Sequence, residues 1–217
     1  MKVAILFSGG KDSVYALDYA KEQGWQIEYL LSVKPSRNDC YLFHYASVEN
    51  TKKIAELLNL RHILISCNVA DATKEALIIK QVVEKNPVDV LLLGGTGLQE
   101  QQIKSLQVAL KSLNVNVFAT HAGKDHAEVM QEMFSKGYKF MITQIASDGM
   151  NPWLGQVISK ENFPKLLRDS EKFGFHVGFE GGYADTFVLE SPFFKVQPKN
   201  LQKHIESQYN GHVTFEI

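Results

Sequence analysis

The stretch that most restricts this chain is its start. Lys2-Val3-Ala4-Ile5-Leu6-Phe7, an apolar run behind one lysine, stops at Ser8-Gly9-Gly10 and passes at once into Lys11-Asp12-Ser13. A continuous apolar run of that kind reads as a strand covered on both faces of a parallel sheet. From Asp12 to Gln23, Val14, Tyr15, Leu17 and Tyr19 recur near helical spacing, and Gly24 is placed to end the helix. A strand that turns through two glycines directly into a helix aims several N–H groups and the positive end of the helix dipole at one point. Gly9 and Gly10 permit positive φ and close backbone approach, Ser8 and Ser13 add hydroxyls, and Lys11 supplies a mobile positive charge. Asp12, in the first turn, can cap the helix or help hold a Mg²⁺ that bridges phosphates. The spacing is neither the G-x-x-x-x-G-K-[ST] loop nor the G-x-G-x-x-G fingerprint. A phosphate cradle of another kind is expected.

The alternation then continues. Residues 27–33, 62–66, 88–93 and 115–119 read as strands, and residues 47–58, 74–85 and 99–113 as the helices between them. Single helices between apolar runs predict an α/β fold with a doubly wound, five-stranded parallel sheet. In such a sheet ligands sit beyond the carboxyl ends of the strands, where Ser8-Gly9-Gly10 and Gly94-Gly95 both fall. After Gly123 the pattern shifts to a helix over 125–136, a strand over 140–145, a Gly/Pro-rich stretch over 148–155, a helix over 163–173, and strands over 186–194 and 213–217. The expected organisation is a larger domain over residues 1–122 that carries the cradle and a smaller C-terminal α+β portion over 123–217.

Bulk properties exclude several classes. With 217 residues, 45% of them hydrophobic and 22% charged, the chain has the composition of an ordinary globular protein. A formal net charge of −1 argues against nucleic acid or an anionic membrane as a partner attracted by the total field. Cys40 and Cys67, the two cysteines, form neither a disulfide framework nor a zinc pattern, which fits a reducing, cytoplasmic setting. The opening apolar run is too short for a signal peptide or a membrane span. Homo-oligomerisation is left open.

Ser8 to Ser13 resembles the Ser-Gly-Gly-Lys-Asp-Ser signature of the PP-loop ATPases, or N-type ATP pyrophosphatases. The resemblance implies the HUP/PP-loop sheet, ATP split between its α and β phosphates with Mg²⁺, adenylation of a substrate oxygen, and displacement of AMP by a nucleophile. Glu180-Gly181-Gly182-Tyr183-Ala184-Asp185-Thr186-Phe187-Val188 is similar to the C-terminal signature of the diphthine–ammonia ligase family. Gly149 with Trp153-Leu154-Gly155, Phe43-His44, and Gly94 with Gln101 extend the likeness to about Phe194. That family amidates the carboxylate of diphthine, on translation elongation factor 2, with ammonium. The resemblance implies ATP contacts for Ser8, Gly9, Gly10, Lys11, Asp12, Ser13, Ser32, His44, Gly94 and Gly95, and acceptor contacts for Gly181, Gly182 and Thr186. Lys11, Asp12, Glu180 and Asp185 are the candidate catalytic residues, and Asp12 the candidate Mg²⁺ ligand.

Departures from the pattern are Tyr183, where the family carries an acidic residue, and Ala184, where it carries an aromatic. Glu180 either orients ammonium and takes its proton, with Asp185 as partner, or closes a turn whose glycines fit tight geometry. Ser32 falls where such proteins hold adenine mostly through backbone groups. His62, His121 and His126 show no ligand spacing and read as surface or core residues, and Trp153 as a packing anchor. Two other readings are a tRNA-modifying enzyme on the same ATP half, which the near-neutral charge and the absence of a cysteine pair oppose, and a nucleotide-binding protein without ligase activity.

Overall fold

The computed structural model describes residues 1–35, 48–68, 71–95 and 100–217. Its N-terminal layer contains β1 (Lys2–Leu6), β2 (Gln26–Pro35), β3 (His62–Cys67), β4 (Val90–Leu93) and β5 (Asn116–Ala119), ordered β3-β2-β1-β4-β5 with every pairing parallel. The connecting helices are α1 (Lys11–Glu22), α2 (Thr51–Leu57), α3 (Ala72–Lys85) and α4 (Glu100–Leu110). Because β1 leads outward to β2 and β3 before the chain crosses back to β4, the order reverses between β1 and β4. That gap is the topological switch point.

Alternation along the strands divides the core. Val3, Ile5, Leu30, Val90 and Leu92 join a cluster with α1 and the C-terminal half, while Ala4, Tyr29, Leu31, Leu91 and Leu93 join a second cluster with α3 and α4. Strands buried on both faces are why these runs read as continuously apolar. α1 starts from Gly10 in extended conformation, carries Asp12 in its first turn, and gives way at Gly24, whose φ is 66°. Asp71 caps α3 by accepting the Lys74 N–H at 2.8 Å.

The C-terminal half adds α5 (His126–Ser135), β6 (Lys139–Ala146), β7 (Val157–Ile158), α6 (Phe163–Phe173), β8 (Ala184–Glu190), β9 (Lys199–Ile205) and β10 (Asn210–Glu216). Its sheet is antiparallel, with β6 flanked by β8 on one side and by β7 and β10 on the other, and β9 outside β10. Asp125 caps α5 by accepting the Glu128 N–H at 3.0 Å. The apolar cluster that contains α1 runs without a break into this half through Phe140, Ile142, Phe187 and Val213.

The structure shifts several expected boundaries. The strand expected over 186–194 is β8, which runs from Ala184 to Glu190; beyond it the chain turns, Ser191 N–H bonding Phe194 O at 3.0 Å. Helices expected over 47–58 and 99–113 each contain a 3₁₀ turn, at Val48–Asn50 and Lys111–Leu113. β9 was not expected: all seven of its residues are exposed, so no face of it is buried.

Candidate active site

The turn after β1 is the centre of the site. The Ser8 N–H reaches Ser13 Oγ at 3.3 Å, the Gly10 N–H reaches Ser8 Oγ at 3.3 Å, and Ser13 Oγ donates to Gly10 O at 3.0 Å. The two hydroxyls thus tie the turn to the first turn of α1. Lys11 is buried apart from its approach to Asp12, whose Oδ2 lies 2.7 Å from Nζ, and the Phe179 ring centre is 5.8 Å from the same ammonium.

Two neighbouring strands press on this turn, and glycines are the reason they fit. Val188 N–H, on β8, bonds Gly9 O at 2.9 Å, and Thr186 Oγ1 accepts the Lys11 N–H at 3.1 Å. A Cβ on Gly9 would meet the Phe187 ring at 2.7 Å, and one on Gly10 would meet Thr186 O at 3.1 Å. From the other side, a Cβ on Gly94 would lie 2.3 Å from the Asp12 carbonyl carbon. β4 and β8 therefore hold the turn between them, with only backbone at the points of contact on the β4 side.

Glu180 enters from the segment between α6 and β8. A Cβ on Gly95, whose φ is 88°, would lie 3.2 Å from Glu180 Oε1, so that carboxylate sits over the end of β4. Gly181 and Gly182 follow with φ of 93° and 84°, a path that suits residues without Cβ. Asp185 pairs with Gln144 of β6 in the sheet register, and alternation puts it on the opposite face of β8 from Thr186.

Histidines that showed no ligand spacing in the sequence gather here. His121 follows β5, is 1% exposed, lies 3.6 Å through Nε2 from Asp12 Oδ1, and packs at a tilt of 39° against Tyr15 with ring centres 4.4 Å apart. Burial pushes its imidazole down to about 4, with Asp12 opposing and Lys11 reinforcing that shift. It is a neutral ring beside the Asp12 carboxylate. His126 and His176 meet edge to face at 4.2 Å, and both are held below the usual imidazole range by burial and, among nearby charges, by Lys11. No local pattern marks these three residues because β5, α5 and the 176–180 segment bring them together only in three dimensions.

Ser32 is fully buried and its hydroxyl is committed: Oγ donates to Phe7 O at 2.6 Å and lies 2.8 Å from His62 Nε2. Thr51 Oγ1, which donates to Val48 O, lies 3.2 Å from the same nitrogen. With both hydroxyl hydrogens given to carbonyls, Nε2 is the donor to each. The side chain of Ser32 thus joins β1, β2 and β3, and in the sheet register Ser32 pairs with Leu64 of β3. His62 has its structural role in this network, while His44 lies outside the described residues.

Glu75 is a further buried acid that no motif in the sequence marks. It is 3% exposed in the first turn of α3, at the same end of the sheet as the cradle, and neither carboxylate oxygen has a hydrogen bond among the described residues. Burial, with Asp71 adding to it, pushes the Glu75 carboxyl up to about 7. No helix among the described residues is long and apolar enough to cross a membrane.

Two family models match the chain, the diphthamide synthase N-terminal domain over residues 1–112 and the diphthamide synthase C-terminal domain over residues 125–215. Diphthine–ammonia ligase of Homo sapiens is 29% identical over 218 residues, covering 90% of this chain and 81% of that protein. Diphthine–ammonia ligase of Bos taurus is 30% identical with the same coverage of each. A crystal structure described as a predicted subunit of tRNA methyltransferase from Methanocaldococcus jannaschii aligns over 88% of this chain and 97% of its own, with TM-score 0.45 and 17% identity, a likeness too loose to bear on function.

Proposed function

The chain belongs to the diphthamide synthase family, and from that premise we infer that it is an ATP-dependent ligase that amidates the carboxylate of diphthine with ammonia and releases AMP and pyrophosphate. The observation that carries this reading is the convergence at the end of β4 of the start of α1, whose Asp12 and Ser13 backbone packs on Gly94, and the Glu180 carboxylate, which stands over Gly95.

In this reading the acceptor carboxylate attacks the α-phosphorus of ATP, the bond to the bridging oxygen breaks, and pyrophosphate departs with the electron pair. The turn from Ser8 to Ser13 binds the departing group through backbone N–H groups, two hydroxyls and the Lys11 ammonium, where fixed donors are worth most. The serine hydroxyl contacts to the Ser8 and Gly10 N–H groups are long, 3.3 Å each, so phosphate oxygens replace them at little cost. A Mg²⁺ ion fits the single carboxylate of Asp12, since this ion keeps most of its waters and takes one or two carboxylates along with phosphate oxygens. Asp12 would hold the ion there, and its charge would offset that of the departing pyrophosphate.

Glu180 faces the second half of the reaction. Ammonium loses a proton to the carboxylate, ammonia attacks the acyl carbon of the mixed anhydride, and as the bond to AMP breaks the nitrogen gives its second proton to the departing phosphate or to water. His121, neutral against Asp12, adds no charge that would compete with the metal. The acceptor lies between Glu180-Gly181-Gly182 and the cradle, and translation elongation factor 2 is the protein that carries it.

Incubation with ATP, Mg²⁺, ammonium and diphthine-bearing elongation factor 2 tests the proposal: AMP, pyrophosphate and the amidated factor are expected in equal amounts. Formation of ADP would overturn it, and stoichiometric ATP binding with no AMP would favour a nucleotide-binding protein without ligase chemistry. Lys11→Ala and Ser13→Ala each lower AMP formation by about 10²-fold, as loss of one fixed donor to developing charge does.

A further inference from the structure

The backbone just before Glu180 is in a conformation that its residue type disfavours. Phe179 has φ 62°, the left-handed region that aromatic residues rarely enter. Such a conformation persists where the surroundings over-determine it, and here three contacts do so. The Phe179 N–H bonds His176 O at 2.8 Å, closing a tight turn. The Glu180 N–H then reaches His176 Nδ1 at 3.3 Å. Beneath the turn, the His126 ring lies so close that a Cβ on Gly178 would meet its Nδ1 at 2.5 Å, and the same ring packs edge-on against His176. The Phe179 side chain is buried toward Lys11. One turn thus sends an aromatic ring to the cradle lysine and the next carboxylate to Gly95.

We propose that His176 is a positioning residue of the ligase site: its Nδ1 accepts the Glu180 N–H and so fixes where the Glu180 carboxylate stands over the end of β4. An imidazole nitrogen accepts only when it carries no proton, so His176 must be the neutral tautomer with hydrogen on Nε2. Its surroundings favour that form: burial disfavours the charged ring, Lys11 on α1 opposes a second positive charge, His126 at the start of α5 is itself shifted below the usual imidazole range, and Asp125 pulls the other way. His176 does not touch the reacting atoms. It acts through Glu180, and its importance to catalysis rests on the ligase reading given above.

Asparagine and glutamine separate this role from simple space filling. In His176→Asn the amide Oδ1 takes the place of Nδ1, whereas in His176→Gln the amide oxygen falls near the place of Nε2, one bond too far. We expect His176→Asn to keep kcat for amidation within about threefold of the parent, and His176→Gln and His176→Ala to lower it by about 10- to 100-fold, the scale of a catalytic group displaced by an ångström. ATP affinity should stay within about threefold in all of them, because the cradle donors are untouched. Long-range ¹⁵N–¹H spectra of the parent should show His176 protonated at Nε2, and amide exchange at Glu180 should quicken about fivefold or more in the glutamine and alanine variants only. A His176 protonated at Nδ1, or asparagine and glutamine variants with equal exchange at Glu180, would overturn the assignment. Those two measurements need no turnover, so if the parent made no AMP the ligase reading would fall while the role of His176 was still decided.

Discussion

Replacing Gly94 with alanine tests whether the packing of β4 on α1 shapes the cradle. Gly94 lacks a positive φ, so alanine suits its backbone and the only penalty is contact. That contact is severe: the new Cβ would stand 2.3 Å from the Asp12 carbonyl carbon, 2.5 Å from Ser13 N and 2.6 Å from Asp12 O. Carbon atoms at rest sit about 3.5–4.0 Å apart, so the start of α1 and the end of β4 must separate by more than about 1 Å. All three atoms are backbone and no rotamer change relieves them. Overpacking of this kind costs about 1–3 kcal/mol, and the upper end is expected here. Function should suffer more than stability, because a displacement of about 1 Å in a group that positions substrate costs roughly 10²-fold in rate. Urea denaturation and AMP formation, measured on the same preparation, read the two effects. Gly123→Ala is the control: its φ of 77° strains an alanine, yet nothing lies within 4 Å of the added carbon, so it should lose about 1–2 kcal/mol and no activity. A Gly94→Ala protein with parental midpoint and parental rate would refute the reasoning.

Thr186→Val leaves the Lys11 N–H without its acceptor in a buried setting, and should cost about 1–3 kcal/mol in denaturation while Thr186→Ser stays near the parent. Glu75 supplies a pH signature. Its folded carboxyl titrates at about 7 against an ordinary value of 4.5, so between those values the native state holds more protons than the unfolded chain, and stability falls as pH rises through that window. The parent should therefore lose about 1–3 kcal/mol from this group between about pH 5 and pH 8, and Glu75→Gln should abolish that loss. An unchanged pH profile in the variant would show that the carboxylate finds a partner.

What could be read from the sequence follows from how locally each feature is encoded. β1 and β4 were legible because burial on both faces makes a strand a nearly continuous apolar run, β2 and β5 because each keeps apolar residues at its centre, and the turn at Ser8 to Ser13 because a strand, two glycines and a helix start are consecutive. β9 was illegible for the opposite reason: Lys199–Ile205 is an edge strand exposed along its length, with no alternation to detect. Glu180 could be singled out through its glycine neighbours and a family resemblance, but its meeting with Gly95 joins residues far apart in the chain. His121, His126 and His176 carried no signal at all, since their neighbourhood is made by β5, α5 and the approach to β8. Phe179 hid for a subtler reason: an aromatic between Gly178 and Glu180 reads as core, and nothing in its identity reports a left-handed backbone.

The cradle borrows its back wall from the far end of the chain. Lys11 and Thr186, whose N–H and hydroxyl meet, are 175 positions apart, and Val188 reaches Gly9 across a similar span. A turn closed by such distant partners is completed late, because contacts of long sequence separation wait for the intervening chain to order. During synthesis residues 8–13 emerge well before β8 does. The Lys11 N–H and the Gly9 carbonyl gain their partners only when β8 has docked.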